Sequence, residues 1–376
     1  MKFRNLKLQN WKNFSQAQIA LQDRMFIVGA NASGKSNLLD AFRFLRDLVI
    51  LGGGFQEAIA RRGGVSAVRC LAARRNAHVI IEAQIASDDG ALWAYELSFN
   101  EEQHTPKVIR ERVSRNDVVL LERPNEADLS DPEQLTKTHL EQLTVNKAFR
   151  ELASFFASIR YLHIVPQLMR EPDRSVGRVN DPFGGDFLEQ VARSSAKTRS
   201  ARLRRIREML KIAAPQLQMI ELWRDHRGTP HLRGKYAHWR PQGAWQTEEQ
   251  FSDGTLRLIG LLWALLDADG PLLLEEPELS LHPGLIRHLP QMFARIIQDS
   301  SRQIFISTHS TDLLSDDGIG LDEVALLIPD KEGTQVRLAA SFAEAQALLE
   351  GGLSMAEVVL PMTEPPEATQ FSLFKV

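Results

Sequence analysis

Cysteine, tyrosine and long hydrophobic runs are all scarce in this chain of 376 residues, which has one Cys and three Tyr. A lone cysteine, Cys70, cannot close an internal disulfide, so a stapled secreted framework is excluded and a reducing, cytoplasmic compartment is expected. The apolar run from Leu258 to Leu266 spans nine residues, far short of the ~20 that a membrane-crossing helix needs. The start, with Lys2, Arg4, Lys7 and Lys12, lacks a signal-type apolar segment, so no membrane partner is expected. Internal repeats and sustained heptads are missing too, which excludes a solenoid and a long coiled coil. What is present is 43% hydrophobic residues, enough for a core in one large or two modest domains. The net charge of −3 conceals an asymmetry, because residues 193–240 hold thirteen Lys or Arg against three acids.

Apolar patterning divides the chain. Leu6 to Leu8, Ala17 to Leu21 and Met25 to Val28 read as short strands, and the spacing of Leu38, Leu39, Phe42, Leu45, Leu48 and Val49 reads as a helix. Alternation from His78 to Ile85, Leu92 to Phe99 and Val108 to Val113 predicts an antiparallel β layer with one wet face. Residues 124–150 are polar and acidic and read as a surface excursion. From Gln167 to about Gln250 the chain is basic, partly helical (Ala201 to Ile212) and loop-rich. Beyond it come a helix at Leu256 to Leu266, an apolar strand at Leu272 to Leu274, a helix at Leu285 to Ile297 and a strand at Ile304 to Ile306. The expected division is 1–165, a first lobe with the β layer; 166–250, an inserted basic helical lobe; 251–340, a second lobe; and 341–376, a C-terminal extension. The fold class is α/β.

Gly29-Ala30-Asn31-Ala32-Ser33-Gly34-Lys35-Ser36 fits G-x-x-x-x-G-K-[ST] and stands between an apolar strand and an amphipathic helix, where a phosphate-binding loop must stand. The glycines let backbone amides turn toward a β-phosphate, the helix start adds its positive dipole end, Lys35 reaches the β and γ oxygens and the Ser36 hydroxyl ligates Mg²⁺. The nucleotide-binding set is Gly29, Asn31, Ser33, Gly34, Lys35, Ser36 and Asn37, with ATP and Mg²⁺ as the implied cofactors. Glu275 and Glu276 are adjacent acids at the end of a buried strand, with side chains expected on opposite faces of the pleat. A phosphate-binding loop needs such an acidic strand end, so Glu275 is read as the metal-side carboxylate and Glu276 as the group that orients the attacking water. Ser252-Asp253-Gly254-Thr255 opens a helix. It is an ordinary N-cap and, in a triphosphate-binding chain, a second anion contact through Ser252 and Gly254. His309, just past the Ile304 strand, is placed to sense a γ-phosphate.

The order of these motifs, with Leu281-His282-Pro283 after the paired acids, resembles Walker A, signature, Walker B, D-loop and switch histidine of the RecF/SMC/OLD-like branch of ABC-type ATPases, in its stand-alone AAA-family form. The opening Leu8-Gln9-Asn10-Trp11-Lys12-Asn13-Phe14 and the position of Asn31 are similar to that branch. The resemblance implies a P-loop NTPase fold, an ABC-type ATPase head with an antiparallel β layer and an inserted helical lobe. It also implies a homodimer that sandwiches two nucleotides, so that Ser252 and Gly254 act on the partner's nucleotide and hydrolysis requires pairing. Two features depart from the common form: Glu275 stands where an aspartate is usual, and the signature reads S-D-G-T. The Q-loop glutamine, a further metal-side residue, falls on Gln167, with Gln84 and Gln103 as rivals. The stretch after His309 is too short for the Toprim nuclease of OLD proteins, so none is expected.

Arg193, Lys197, Arg199, Arg202, Arg204, Arg205, Arg207 and Lys211 lie close together, with Trp223, Tyr236 and Trp239 nearby. A face with several arginines can neutralise DNA phosphates without reading bases, or it can be a solvated helix face or meet an acidic protein. His226, His231 and His238 lack cysteine companions and regular spacing, which argues against zinc. The function expected is an ATP hydrolase coupled to a DNA-associated process of repair, genome maintenance or defence. The alternative is a switch subunit that gates a separately encoded nuclease or other effector.

Overall fold

The structure, a computed structural model, describes residues 1–72, 78–171, 181–238, 244–267, 270–300 and 302–365. The chain forms two compact units: Met1–Arg160, Gly270–Leu273 and Pro290–Val376 make the first, and Tyr161–Asp269 and Leu274–Leu289 the second. Its strands are β1 (Lys2–Trp11), β2 (Phe14–Ala20), β3 (Arg24–Gly29), β4 (Val79–Ala86), β5 (Leu92–Glu102), β6 (Thr105–Arg115) and β7 (Val118–Arg123). There follow β8 (Arg160–Leu162), β9 (Leu217–Arg224), β10 (Pro230–Tyr236), β11 (Ala244–Thr247), β12 (Leu272–Glu275), β13 (Ile304–Thr308), β14 (Val324–Asp330) and β15 (Gly333–Leu338).

In the first unit, β2-β1-β4-β5-β6-β7 form an antiparallel sheet. Val79, Ile81, Ala83 and Ile85 of β4 are buried and their neighbours are not, the alternation of a strand with one wet face. β3 differs, because all six of its residues are buried. It pairs in parallel with β13 and β14, and β15 closes that side antiparallel to β14. The helix Lys35–Asp47 leaves β3 through Ala30–Gly34 and buries Leu38, Leu39, Phe42 and Leu45. Phe3, Phe42 and Phe305 link the β layer, this helix and β13 through ring centroids 5.0 Å apart at each step, contacts worth ~1 kcal/mol each beyond their buried area.

The polar stretch expected as a surface excursion is anchored in the core. Arg123, with no side-chain exposure, donates to Glu111 at 3.1 Å and to Asp128 at 2.6 Å. Glu111 in turn accepts from the amides of His139 and Leu140 at 2.7 and 3.0 Å. Buried charges need such pairing; most of residues 124–150 is nevertheless exposed, the surface excursion expected, with Asp128 and Leu140 as buried anchors.

The second unit contains the basic stretch, which holds a sheet as well as helices. The helix Ala196–Ala213 buries Leu203, Ile206 and Leu210, and β11-β10-β9 form an antiparallel sheet. Its strands were hidden in the sequence by polar residues alternating with single apolar ones. The helix Asp253–Leu266 follows. One helix expected over 285–297 is two, Pro283–Ile286 and Leu289–Ser300, because Pro290 has no amide to donate to a continuing turn and instead begins the second.

Candidate nucleotide site

The first unit contains the phosphate-binding loop. Gly34 is the N-cap residue of the helix Lys35–Asp47 at φ 102, with no side-chain cap and no acid in the first turn. The cap residue therefore contributes no side chain to the opening amides of that helix, an arrangement suited to an anion. Only glycine fits at position 34, since an added Cβ would lie 2.1 Å from Asn13 Nδ2. Lys35, 8% exposed, donates its ammonium to the carbonyls of Gly29 and Ala30 at 2.9 and 3.1 Å, inside the loop it is expected to serve. Asn31 and Ser36 are exposed, Ser33 is buried and Asn37 half-buried.

Two supporting residues were missed in the sequence. Asn13, at the β1–β2 turn, donates Nδ2 to the Ser33 carbonyl at 2.9 Å and to Thr334 Oγ1 at 2.8 Å, and its Oδ1 accepts from Asn37 Nδ2 at 2.8 Å. Thr334, in β15, donates its hydroxyl to the same Ser33 carbonyl at 2.9 Å. The loop is thus fastened by residues 321 positions apart, a spacing no local pattern reveals. One turn further along the helix, Asp40 holds Arg62 at 2.8 Å and Lys12 at 2.6 Å. Burial alone would raise the Asp40 carboxyl, but these two cations outweigh it and hold it below its ordinary value. A cavity of about 1230 Å³ opens beside Asn13 and Asn37 and is rimmed by Lys12, Arg62, Arg69 and Lys331.

His309 is exposed and shares a second cavity, of about 270 Å³, with Gly29 and Ala30 on one side and Leu360, Pro361 and Thr363 on the other. The structure therefore brings the histidine beside the first residues of the loop. It also brings there the end of the helix Met355–Thr363, which the sequence reading had left as an unassigned extension.

The second unit contains the remaining candidates. Glu275 ends β12 and accepts from the Tyr161 hydroxyl. Glu276 does not continue the pleat: it sits at φ 44, so a turn rather than strand alternation separates the two acids. A non-glycine residue in that region carries strain, which is common where function fixes a side chain. Ser252 caps the helix Asp253–Leu266 by accepting from the Thr255 amide at 3.2 Å. Gly254 packs against the turn after the paired acids, where a Cβ would lie 2.5 Å from the Ser280 carbonyl oxygen. Gln167 donates to Asp253 Oδ2 at 3.0 Å, and Arg170 binds Asp253 Oδ1 at 2.6 Å. Gln84 lies on β4 and Gln103 at the β5–β6 turn.

Arg257, one turn into the same helix and 6% exposed, was also missed. Burial pulls its guanidinium below its ordinary value, and Asp253, Glu278 and Glu276 act in the opposite direction. Its sequence signal was a single arginine inside an apolar helix. Among the described residues no group of three or more His, Cys, Asp and Glu could hold a metal by itself. A phosphate-bound Mg²⁺ needs only one or two protein ligands rather than an all-protein cage, and the exposed Ser36 of the first unit is an oxygen donor of that kind.

The arginine-rich helix is less open than its composition suggests. Arg202 binds Asp267 at 2.6 Å and stacks on Trp263, Arg193 binds Glu189 at 3.1 Å and Arg199 donates to backbone carbonyls. Arg204 and Arg205 are exposed. Trp239 lies outside the described residues. No described helix is long and apolar enough to cross a membrane.

The family model described as "AAA domain, putative AbiEii toxin, Type IV TA system" matches residues 24–316. Endonuclease GajA of Bacillus cereus (strain VD045) is 41% identical over 58 residues, which are 15% of this chain and 10% of that protein. The chain thus spans a tenth of that relative's length. Among solved structures, an SMC head bound to the C-winged helix domain of ScpA is similar with a TM-score of 0.56 at 14% identity, covering 90% of this chain and 98% of that one. An SMC head domain derived from Pyrococcus furiosus, with an extended coiled coil and bound to the C-terminal domain of ScpA, gives 0.55 at 12% identity, covering 93% and 99%.

Proposed function

The chain belongs to the family described as "AAA domain, putative AbiEii toxin, Type IV TA system", in the RecF/SMC/OLD-like branch of ABC-type ATPases, and from that premise we propose that it hydrolyses ATP with Mg²⁺ and pairs on the nucleotide. The observation that carries this reading is the uncapped start of the helix Lys35–Asp47, with Gly34 at φ 102 and the Lys35 ammonium folded into the loop. Phosphate oxygens replace those loop carbonyls as partners of Lys35 and accept from the opening amides. The cavity beside Asn13 and Asn37 takes the nucleoside. Mg²⁺, when bound, neutralises charge on the β and γ phosphates. Ser36 and Glu275 would hold it, with Gln167 as a further metal-side group.

Glu276 orients the water that attacks the γ-phosphorus and takes its proton as the bond to the β–γ bridging oxygen breaks. His309 donates to a γ-phosphate oxygen and registers its loss. Ser252 and Gly254 serve the nucleotide held by a second copy. The hydrolysis is coupled to a DNA-associated process in the cytoplasm. The basic balance of residues 193–240 supports this through charge. A second reading, a switch subunit of a defence or toxin-type complex gating a separate nuclease, is favoured by the family description and by the local match to an endonuclease.

The test is Glu276→Gln. Phosphate release should fall about 100-fold, the scale of a lost general base, while ATP binding persists and a dimer accumulates on a sizing column. Normal turnover in that variant would remove Glu276 from the chemistry. Co-purification of an effector held inactive in the trapped state would favour the second reading.

A further inference from the structure

Among the described residues, the three-stranded sheet of the second unit has one covered face and one open face. Register sets Ile220 opposite Gly234 and Leu222 opposite Leu232, and sets Met219 opposite Lys235, Glu221 opposite Arg233 and Trp223 opposite His231. From the other side of β10, Trp245 faces Lys235 and Thr247 faces Arg233. Directly opposed residues share a face, so Leu222, Leu232 and Gly234 lie on one side, and Trp223, Arg233, Lys235 and Trp245 on the other. The first face is closed: Leu232 is fully buried, and a Cβ on Gly234 would lie 3.0 Å from the Phe251 ring.

The second face is built differently. Trp223 and Trp245 are 38% and 42% exposed. The Arg233 guanidinium lies 5.6 Å from one ring centroid and 4.6 Å from the other. His231 stands 5.4 Å from Trp223 and is fixed from behind by the buried Glu248 at 2.6 Å. Arg227 is exposed in the β9–β10 turn, whereas Arg224, opposite Pro230, belongs to the other face. Against these cations the sheet and its β9–β10 turn offer Glu221, engaged with Arg233 at 2.6 Å, and Asp225. Exposed indole rings interleaved with cations on a sheet face match a polyanion whose aromatic faces are accessible. A duplex hides its bases in the stack. A single strand presents them.

The geometry points to the open face of β9–β11 as a binding site for single-stranded nucleic acid, with bases stacked on Trp223 and Trp245 and phosphates met by Arg233, Lys235 and Arg227. The inference deepens the nucleic-acid arm of the proposed function and rests on it, but not on ATP hydrolysis. It also moves the contact from the arginine helix to the sheet. The bound strand lies one layer from Phe251, the residue before Ser252.

The test uses the full chain without nucleotide, titrated into a fluorescently labelled thymidine 30-mer and into a matched duplex, with anisotropy read at two salt concentrations. The single strand should bind more tightly than the duplex. Trp223→Ala with Trp245→Ala should weaken it by about 10-fold per ring, the scale of lost base stacking, while Trp223→Phe with Trp245→Phe retains most of the affinity. Arg204→Glu with Arg205→Glu should leave single-strand affinity within a few fold. Lys235→Glu keeps the test open if the alanine pair does not fold; it should weaken binding and flatten the salt dependence. Unchanged affinity in a folded alanine pair, or in Lys235→Glu, overturns the site. A wild-type chain that binds duplex but not single strand also overturns it, leaving the nucleic-acid arm standing; one that binds neither removes both. Loss of a concentration-dependent dimer in the alanine pair, with no effect on oligonucleotide binding, would assign the face to a second copy and equally sink the proposal.

Discussion

Two helix starts in this chain carry a glycine and a serine, and they are finished in opposite ways. At Gly34 the helix Lys35–Asp47 has no side-chain cap, and Asn13 and Thr334 hold the loop through the Ser33 carbonyl. At Ser252 the helix Asp253–Leu266 caps itself, the serine accepting from the Thr255 amide, while Arg170 and Gln167 hold Asp253. The difference separates an anion receptor from a helix that is already complete. The first leaves amides for a phosphate and must be braced from outside. The second already has its cap, and the Ser252 hydroxyl, an acceptor toward the Thr255 amide, keeps a proton that it can donate to a phosphate.

The largest break in this comparison is Lys35→Ala. Removing the one ammonium inside the loop should lower ATP turnover by about 1000-fold or more, the scale at which fixed charge stabilises a transition state. A phosphate-release assay reads it, and near-normal turnover would withdraw the receptor role from Gly29–Ser36. Ser252→Asp sharpens the other side: aspartate caps a helix as well as serine does, so the melting temperature should hold while turnover collapses through charge repulsion.

Next in size is Asp40→Asn, which leaves Arg62 and Lys12 without their shared acid. Breaking a buried ion pair costs about 3–5 kcal/mol, read as a fall in chemical stability. Because the Asp40 carboxyl is held below its ordinary value in the folded chain, its contribution is full above that ordinary value. It is lost as pH falls through the depressed one. The gap between wild type and variant should therefore close in acid and stay constant near neutrality; a gap that widens in acid would contradict the assignment. Smaller still is Asn13→Ala. It strips hydrogen bonds from Ser33 and Asn37 and should weaken nucleotide binding by about 10-fold, the worth of one lost buried hydrogen bond, measured by titration with a fluorescent ATP analogue. An unchanged affinity would mean the loop braces itself.

What the sequence made legible follows the same division. The loop, its strand and its helix are local: six apolar positions at helical spacing and eight motif residues lie within a short span. The braces are not, since Asn13 and Thr334 meet only after β15 has folded back beside β2. Glu275 was placed at a strand end correctly, but the turn at Glu276 depends on Pro277 and the backbone that follows, which alternation cannot encode. The β9–β11 sheet was overlooked because its open face alternates charge and tryptophan where a solvated face usually carries charge alone. The anchor at Arg123 was overlooked because polar composition says nothing about which charges find partners.

The central claim is that one copy's P-loop works with the other copy's Ser252. Mixing Lys35→Ala with Ser252→Asp, each inactive alone, tests it most directly. Hybrid pairs contain one site with an intact loop and an intact serine, so mixing should restore up to about a quarter of wild-type turnover if random two-fold pairing holds. A mixture that stays as inactive as its components, although the two variants are shown to pair, would contradict the account.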